Sequence, residues 1–269
     1  MMTLGTIGAF GFTDFHPPEI LGLYAEAGCT VVQVYRNRSG RFPANDIRPV
    51  CEDAGLRIDS IHGHFGDDLD PSSENETVRR ATMALYAAEA DYCRELGGNM
   101  VVVHPSPAHA AAGDLNRRYA RLRRSFDDLA RIGQQTDVCF GIENMPPWHP
   151  VGTDVPRLIR TIVDADSDHL RFVFDTGHAH MTCGIEEALA AAGPHIRHTH
   201  VHDNDGANDT HSLPYRGTLP WDRCAAGLRD AGYQGVFLLE VFELADDLRR
   251  LMTDDWKRNI RAILNGTLS

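Results

Sequence analysis

Nowhere in the 269-residue chain is there an apolar run near the ~20 residues that a helix needs to cross a bilayer. No lysine or arginine precedes the short apolar stretch that ends at Phe12, so a secretory leader is not expected and a cytoplasmic location is. Basic charge is scarce too. Against 38 aspartates and glutamates stand 26 lysines and arginines, a formal net charge of −12. Nucleic-acid binders carry a basic face that displaces counterions, so this balance argues against such a partner. The six cysteines (Cys29, Cys51, Cys93, Cys139, Cys183 and Cys224) include no C-x-x-C pair and read as free buried thiols. The first predicted turn, Gly8-Ala9-Phe10-Gly11-Phe12, lacks the G-x-G-x-x-G of an open dinucleotide-binding sheet. No linker or low-complexity run divides the chain.

What is present is one unit repeated eight times: a short apolar run, a loop, then a helical pattern. The runs fall at residues 4–10, 30–35, 57–62, 99–104, 138–143, 170–175, 196–202 and 235–240. Helical periodicity follows at 17–27, 44–54, 76–96, 115–135, 155–164, 185–192, 221–231 and 246–264. Pro17 and Pro18 suit a helix start, and Gly55, Gly97 and Gly232 suit helix ends. Continuous rather than alternating apolar runs mark a parallel sheet covered on both faces. Eight right-handed strand–helix units predict an α/β fold, one (β/α)₈ TIM barrel spanning residues 1–269, close to the ~250 residues usual for that fold.

In such a barrel the C-terminal strand ends meet at one mouth. Six consecutive runs end in, or carry near their ends, an ionisable group. They are His62 (Ser-Ile-His-Gly-His), His104 (Val-Val-Val-His-Pro), Glu143 (Gly-Ile-Glu-Asn), Asp175 (Phe-Asp-Thr-Gly-His), His200 (His-Thr-His-Val-His) and Glu240 (Leu-Leu-Glu-Val). Brought together unpaired, these groups would repel one another and lose hydration. A divalent cation removes both costs. Oxygen and nitrogen donors without a thiolate suit Mn²⁺, Zn²⁺, Mg²⁺ or Co²⁺. The loop after the seventh run adds Asp209 and His211 as a D-x-H pair, and Asp175 with His178 forms a D-x-x-H pair. The same loop also reads as a polar segment of local Asx turns.

At these residues the chain resembles the xylose isomerase-like barrel superfamily, which holds sugar isomerases, ketose 3-epimerases, inosose dehydratase and endonuclease IV. The matching pieces are Ile-Glu-Asn at 142–144, Asp-Thr-Gly-His at 175–178, His-x-x-Asp-Asn at 200–204, Asp-x-His at 209–211 and Leu-Leu-Glu at 238–240. The resemblance implies that Glu143, Asp175, His200 and Glu240 bind the metal, with Glu143 and Glu240 doubling as acid and base. It places His178 and Arg216 among substrate-contacting groups. It leaves His62 and His104 as either ligands of further ions or plain pocket lining. The implied reaction is proton removal alpha to the carbonyl of a sugar or polyol, through a metal-stabilised enediolate. Two other activities follow from the same resemblance. One is an inosose dehydratase-type lyase. The other is a zinc phosphodiesterase, because His62, His104, Glu143, Asp175, His178, His200, Asp209, His211 and Glu240 together match a three-zinc ligand set. Homo-oligomers are common in that group.

Trp148 reads as an apolar wall for a sugar or as a loop anchor. Phe10 and Phe12 read as core filling in preference to lining the mouth, Trp221 as the start of a helix with a cover for the pocket floor as the lesser alternative, and Trp256 as packing. His198 and His202 share the parity of His200 and are expected to lie deeper in the core and in the loop, outside the ligand set.

Overall fold

The apolar runs become strands, and each is handed to a helix that covers it. The computed structural model describes residues 1–268. Its strands are β1 (Thr3–Phe10), β2 (Val31–Arg36), β3 (Arg57–His62), β4 (Met100–Val103), β5 (Cys139–Glu143), β6 (Leu170–Asp175), β7 (Ile196–Val201) and β8 (Val236–Leu239). All neighbours pair in parallel, and Thr3 of β1 meets Val236 of β8 to close the barrel. The helices are α1 (Pro17–Ala27), α2 (Ala44–Asp53), α3 (Glu76–Leu96), α4 (Leu115–Thr136), α5 (Val155–Val163), α6 (Thr176–Met181), α7 (Ile185–Ala192), α8 (Trp221–Asp230), α9 (Ala245–Leu251) and α10 (Asp254–Leu264). The expected (β/α)₈ barrel is thus observed.

Local chemistry explains the helix ends. Asn75 and Asp114 cap α3 and α4 by accepting hydrogen bonds from the free N–H groups of the first turn. Two details depart from the periodicity. The pattern at 246–264 is not one helix, because Met252 leaves helical geometry and Thr253 caps a new start by accepting from Trp256 N. A short helix, α6, follows β6 directly, with the Asp175 carboxylate accepting from His178 N.

Most of the core lies between barrel and helices, while the lumen holds Ile7, Tyr35, Met100, Val102, Val173 and Leu238. Polar groups share the lumen with them. Gln33 donates to Ser60 Oγ at 3.0 Å, and His198 lies 3.2 Å from Asp59. One irregularity matters for the mouth. Phe172 pairs with Ile196, but Val173 pairs with His198, so Arg197 is an unpaired extra residue in β7. From there on His198 and His200 face inward, and His200 comes level with Asp175.

Two loops that wall the mouth are tied together from outside. Arg118, on α4, donates to Asp70 and Ser72 at 2.8 Å each and to the carbonyl of Ala111 at 3.3 Å. Both Asp70 and Arg118 are buried. No helix among the described residues is long and apolar enough to cross a membrane.

Candidate functional site

The strand ends do converge. Glu143, Asp175, His200 and Glu240 offer donor atoms that all lie within 4.8 Å of one another, and all four residues are buried. His200 Nδ1 sits between two carboxylates, 2.9 Å from Glu143 Oε1 and 3.1 Å from Glu240 Oε2. Three further groupings share members with this one or adjoin it: His62 with His104 and Glu143, His62 with His200 and Glu240, and His178 with His202, Asp209 and His211.

Each side chain is aimed by a neighbour. The Asn144 amide clasps the end of β6, donating to Asp175 O at 3.0 Å and accepting from Asp175 N at 2.8 Å. His62 donates its Nδ1–H to Gly63 O at 2.8 Å, which leaves Nε2 bare and 3.6 Å from Glu143 Oε2. His178 donates from Nδ1 to Asn144 O at 2.8 Å, which turns Nε2 to Asp209 Oδ2 at 3.3 Å. The Tyr35 hydroxyl donates to Glu240 Oε1 at 3.0 Å. His202 Nε2 lies 3.1 Å from Asp175 Oδ1, and its ring stacks on His211 with centroids 4.0 Å apart. The glycine of Asp-Thr-Gly-His has a steric cause here: a Cβ on Gly177 would lie 2.0 Å from His202 Cε1. The loop bearing Asp209 and His211 is fixed by Asp203, which accepts from Asn204 N, Leu219 N and Trp221 Nε1.

Burial alone would raise the carboxyl of Glu143. The adjacent His200, which also hydrogen-bonds to it, and the nearby rings of His104 and His62 override it and hold the carboxylate well below its usual range. Glu240 is raised by burial but held low in the same way by His200, with help from His211. Burial disfavours charge on His200, yet Glu240 and Glu143 push its pKa well up. For His178 burial again lowers, but Asp175, Asp209 and Glu143 bring it to about 10. Burial lowers His104 and takes His149 down to about 3.

The donor set fits a divalent cation. Glu143 Oε2, Asp175 Oδ2 and Glu240 Oε2 are all enclosed, and none has a hydrogen-bond partner. His62 Nε2 and Asp209 Oδ1 share that condition. Such atoms are rare without an ion or water to serve them. The spacing agrees: an ion with bonds of ~2.1 Å holds neighbouring donors about 3 Å apart. All donors are oxygen or nitrogen.

Above this floor opens a cavity of about 400 Å³, within the size range of small-molecule sites. Phe12, Tyr35, Phe65, Met145, Trp148 and Phe242 form much of its wall, and neither lysine nor arginine lines it. Trp148 therefore is a wall residue, with His109 stacked alongside. Two expectations need correction. Arg216 is exposed at the tip of a turn that its N–H closes onto Leu213 O, and it lies outside the cavity wall. Phe12 lines the cavity instead of filling the core, because β1 ends at Phe10. Trp221 is buried against Asp203 and does not cover the floor. His202 stands beyond the end of β7, in the loop as expected, and is grouped there with His178, Asp209 and His211.

Tyr35 and His149 were not singled out in the sequence. Tyr35 had a signal, since it lies near the end of β2 as the ligands do on their own strands; His149 is one of fourteen histidines, in a loop with no periodicity to place it.

A family model for the xylose isomerase-like TIM barrel matches residues 21–262, and the chain belongs to that family. It is 30% identical over 199 residues to an uncharacterized protein of Methanocaldococcus jannaschii, covering 70% of this chain and 66% of that protein. It is 24% identical over 203 residues to a D-psicose 3-epimerase of Enterocloster bolteae, covering 73% of this chain and 65% of that enzyme. These alignments thus span just under two thirds of the relatives' own length. The crystal structure of a D-tagatose 3-epimerase-like protein superposes over the full length of both chains with a TM-score of 0.79 at 22% identity, a likeness of fold.

Proposed function

We propose that the protein is a divalent-metal-dependent sugar or polyol epimerase or isomerase, with Glu143 and Glu240 as its proton-transfer pair. One observation carries the reading. Two buried carboxylates from opposite parts of the barrel, β5 and β8, flank His200 and each keep an unpartnered oxygen, beneath a cavity sized for a small molecule. The D-psicose 3-epimerase relative supports the reaction class.

Glu143, Asp175, His200 and Glu240 would hold the ion, whose chemistry is Lewis-acid polarisation of a carbonyl and its neighbouring hydroxyl. The chain's own residues handle the proton. One glutamate removes it alpha to the carbonyl, and the other delivers a proton to the opposite face or the adjoining carbon. The Tyr35 hydroxyl fixes one oxygen of Glu240 and leaves the other for the reaction. Burial excludes bulk water from both carboxylates. Aromatic walls suit the C–H faces of a sugar.

The groupings of His62 with His104 and Glu143, and of His178 with His202, Asp209 and His211, give specific support to another reading, phosphodiester hydrolysis at a multi-metal centre. Against it stand the absence of lysine and arginine from the wall and the net charge of −12. A lyase would share the first proton removal and then expel a β-hydroxyl.

The test is incorporation of solvent deuterium into a panel of ketoses and inososes by the Mn²⁺-loaded protein. Exchange at the carbon alpha to the carbonyl is expected. Glu143→Gln and Glu240→Gln should each slow it by roughly 10²–10⁴-fold. No exchange with any carbonyl sugar, together with three bound zinc ions and cleavage of a phosphodiester, would overturn the assignment in favour of hydrolysis.

A further inference from the structure

His149 lies in the loop after β5, beside Trp148, and takes no part in any of the ligand groupings. Its ring is fixed from behind. Nδ1 is 2.8 Å from the carbonyl oxygen of Ser106, in the loop after β4. A carbonyl only accepts, so Nδ1 carries the hydrogen, and in the neutral ring Nε2 is a bare acceptor. The two loops cannot slide apart and change this. Ser106 Oγ donates to Val151 O at 3.0 Å and accepts from Val151 N at 3.2 Å, while His149 N closes a turn onto Pro146 O at 3.0 Å. The residue is 7% exposed and lines the cavity, and Nε2 finds no partner among the described residues.

Pro107, Met145, Pro146 and Trp148 line the wall with it, and the His104 ring stands edge-on to its own with centroids 5.8 Å apart. A bare ring nitrogen fixed on this wall selects for a donor. It repels the oxygens of a carboxylate or phosphate, and the described wall carries no lysine or arginine to hold them. Building on the proposed function, we infer that His149 is a specificity-determining residue. Its Nε2 accepts a hydrogen bond from a substrate hydroxyl beyond the reacting carbons, so the substrate of this chain is an uncharged polyhydroxy compound at that end, not a sugar phosphate.

The experiment uses the Mn²⁺-loaded full chain and a ketohexose that it turns over, with the deoxy analogues of that sugar and its 6-phosphate. One deoxy analogue should lose roughly ten- to hundred-fold in kcat/KM. His149→Phe should bring the parent sugar down to that level, chiefly through KM, and so erase the discrimination. His149→Gln, which keeps an acceptor, should recover part of it. A 6-phosphate used as well as the free sugar, or discrimination that survives in His149→Phe, would overturn the inference. A second measurement needs no turnover. In metal-loaded protein with ¹⁵N-labelled histidine, the resonances lost in His149→Phe should report a neutral ring protonated on Nδ1. The Nε2 signal should move when D-fructose, D-tagatose or D-psicose is added. Protonation on Nε2, or an Nε2 signal unmoved by every sugar, would refute the role of His149. If that signal moves but no sugar exchanges deuterium, the epimerase assignment is what fails.

Discussion

Replacing Arg118 with Met removes the guanidinium that joins the two wall loops and leaves their shape otherwise nearly filled. The partner it abandons is Asp70, whose side chain is 9% exposed, against 8% for Arg118 itself. A charge left without its buried partner costs about 3–5 kcal/mol. The Ser72 hydroxyl and N–H still serve Asp70 Oδ1, so the lower end of that range is expected. In a chain of this size about 1 kcal/mol moves Tm by roughly 2–4 °C, so thermal unfolding should shift down by about 6–12 °C. The segment of Asp70 carries Phe65, Asp67 and Leu69, and that of Ala111 carries Ser106, Pro107 and Ala108, all of them on the cavity wall. Loosening both loops should raise KM more than it lowers kcat. The double variant Asp70→Asn/Arg118→Met removes the stranded charge and should regain a large part of the lost stability. Calorimetry on the four proteins of the cycle decides the matter. A single variant within about 1 kcal/mol of the parent, or a double variant no more stable than Arg118→Met, would refute the claim that this ion pair anchors the mouth.

Two more outcomes follow from the site. In chelator-treated protein the folded-state pKa of His178 stands at about 10, above the unfolded value of ~6.5. Its stabilising contribution is thus complete below pH ~6.5 and drains away as the pH rises towards about 10. Tm measured across that window should fall without metal, whereas added Mn²⁺ should counter the fall, because deprotonated ligands bind it better; a metal-free Tm that climbs with pH would contradict the arrangement. Gly177→Ala places a methyl group 2.0 Å from His202 Cε1, so a loss of roughly 1–3 kcal/mol and a lower metal content per chain are expected. Unchanged melting and unchanged metal stoichiometry would show that His202 does not need that space.

The barrel was legible because its strands are covered on both faces and its helices are amphipathic. Both leave a period in the sequence, and the bounds of β3, β6, α1, α3 and α7 agree residue for residue. The central ligands were legible for a related reason: a strand end has a fixed direction, so Glu143, Asp175 and Glu240 announce themselves. Loops have no period. Arg216 was placed by likeness to a family, but its orientation depends on a turn closed by Leu213, which no spacing rule records. Tyr35 was overlooked because its partner, Glu240, is 205 residues away in the chain. The break at Met252 fell inside an unbroken helical pattern, and only the cap at Thr253 marks it.

Arg197 makes no contact with the ligands, yet it decides which side chains reach them. Were β7 to run in step with β6 from Phe172 onward, Arg197 and Thr199 would face the lumen, and both His198 and His200 would point out toward the helices. The chemistry at the top of the barrel therefore hangs on a one-residue stutter near its floor. Insertion or deletion of a single residue in this strand would turn both histidines out of the lumen and put Arg197 and Thr199 in their place.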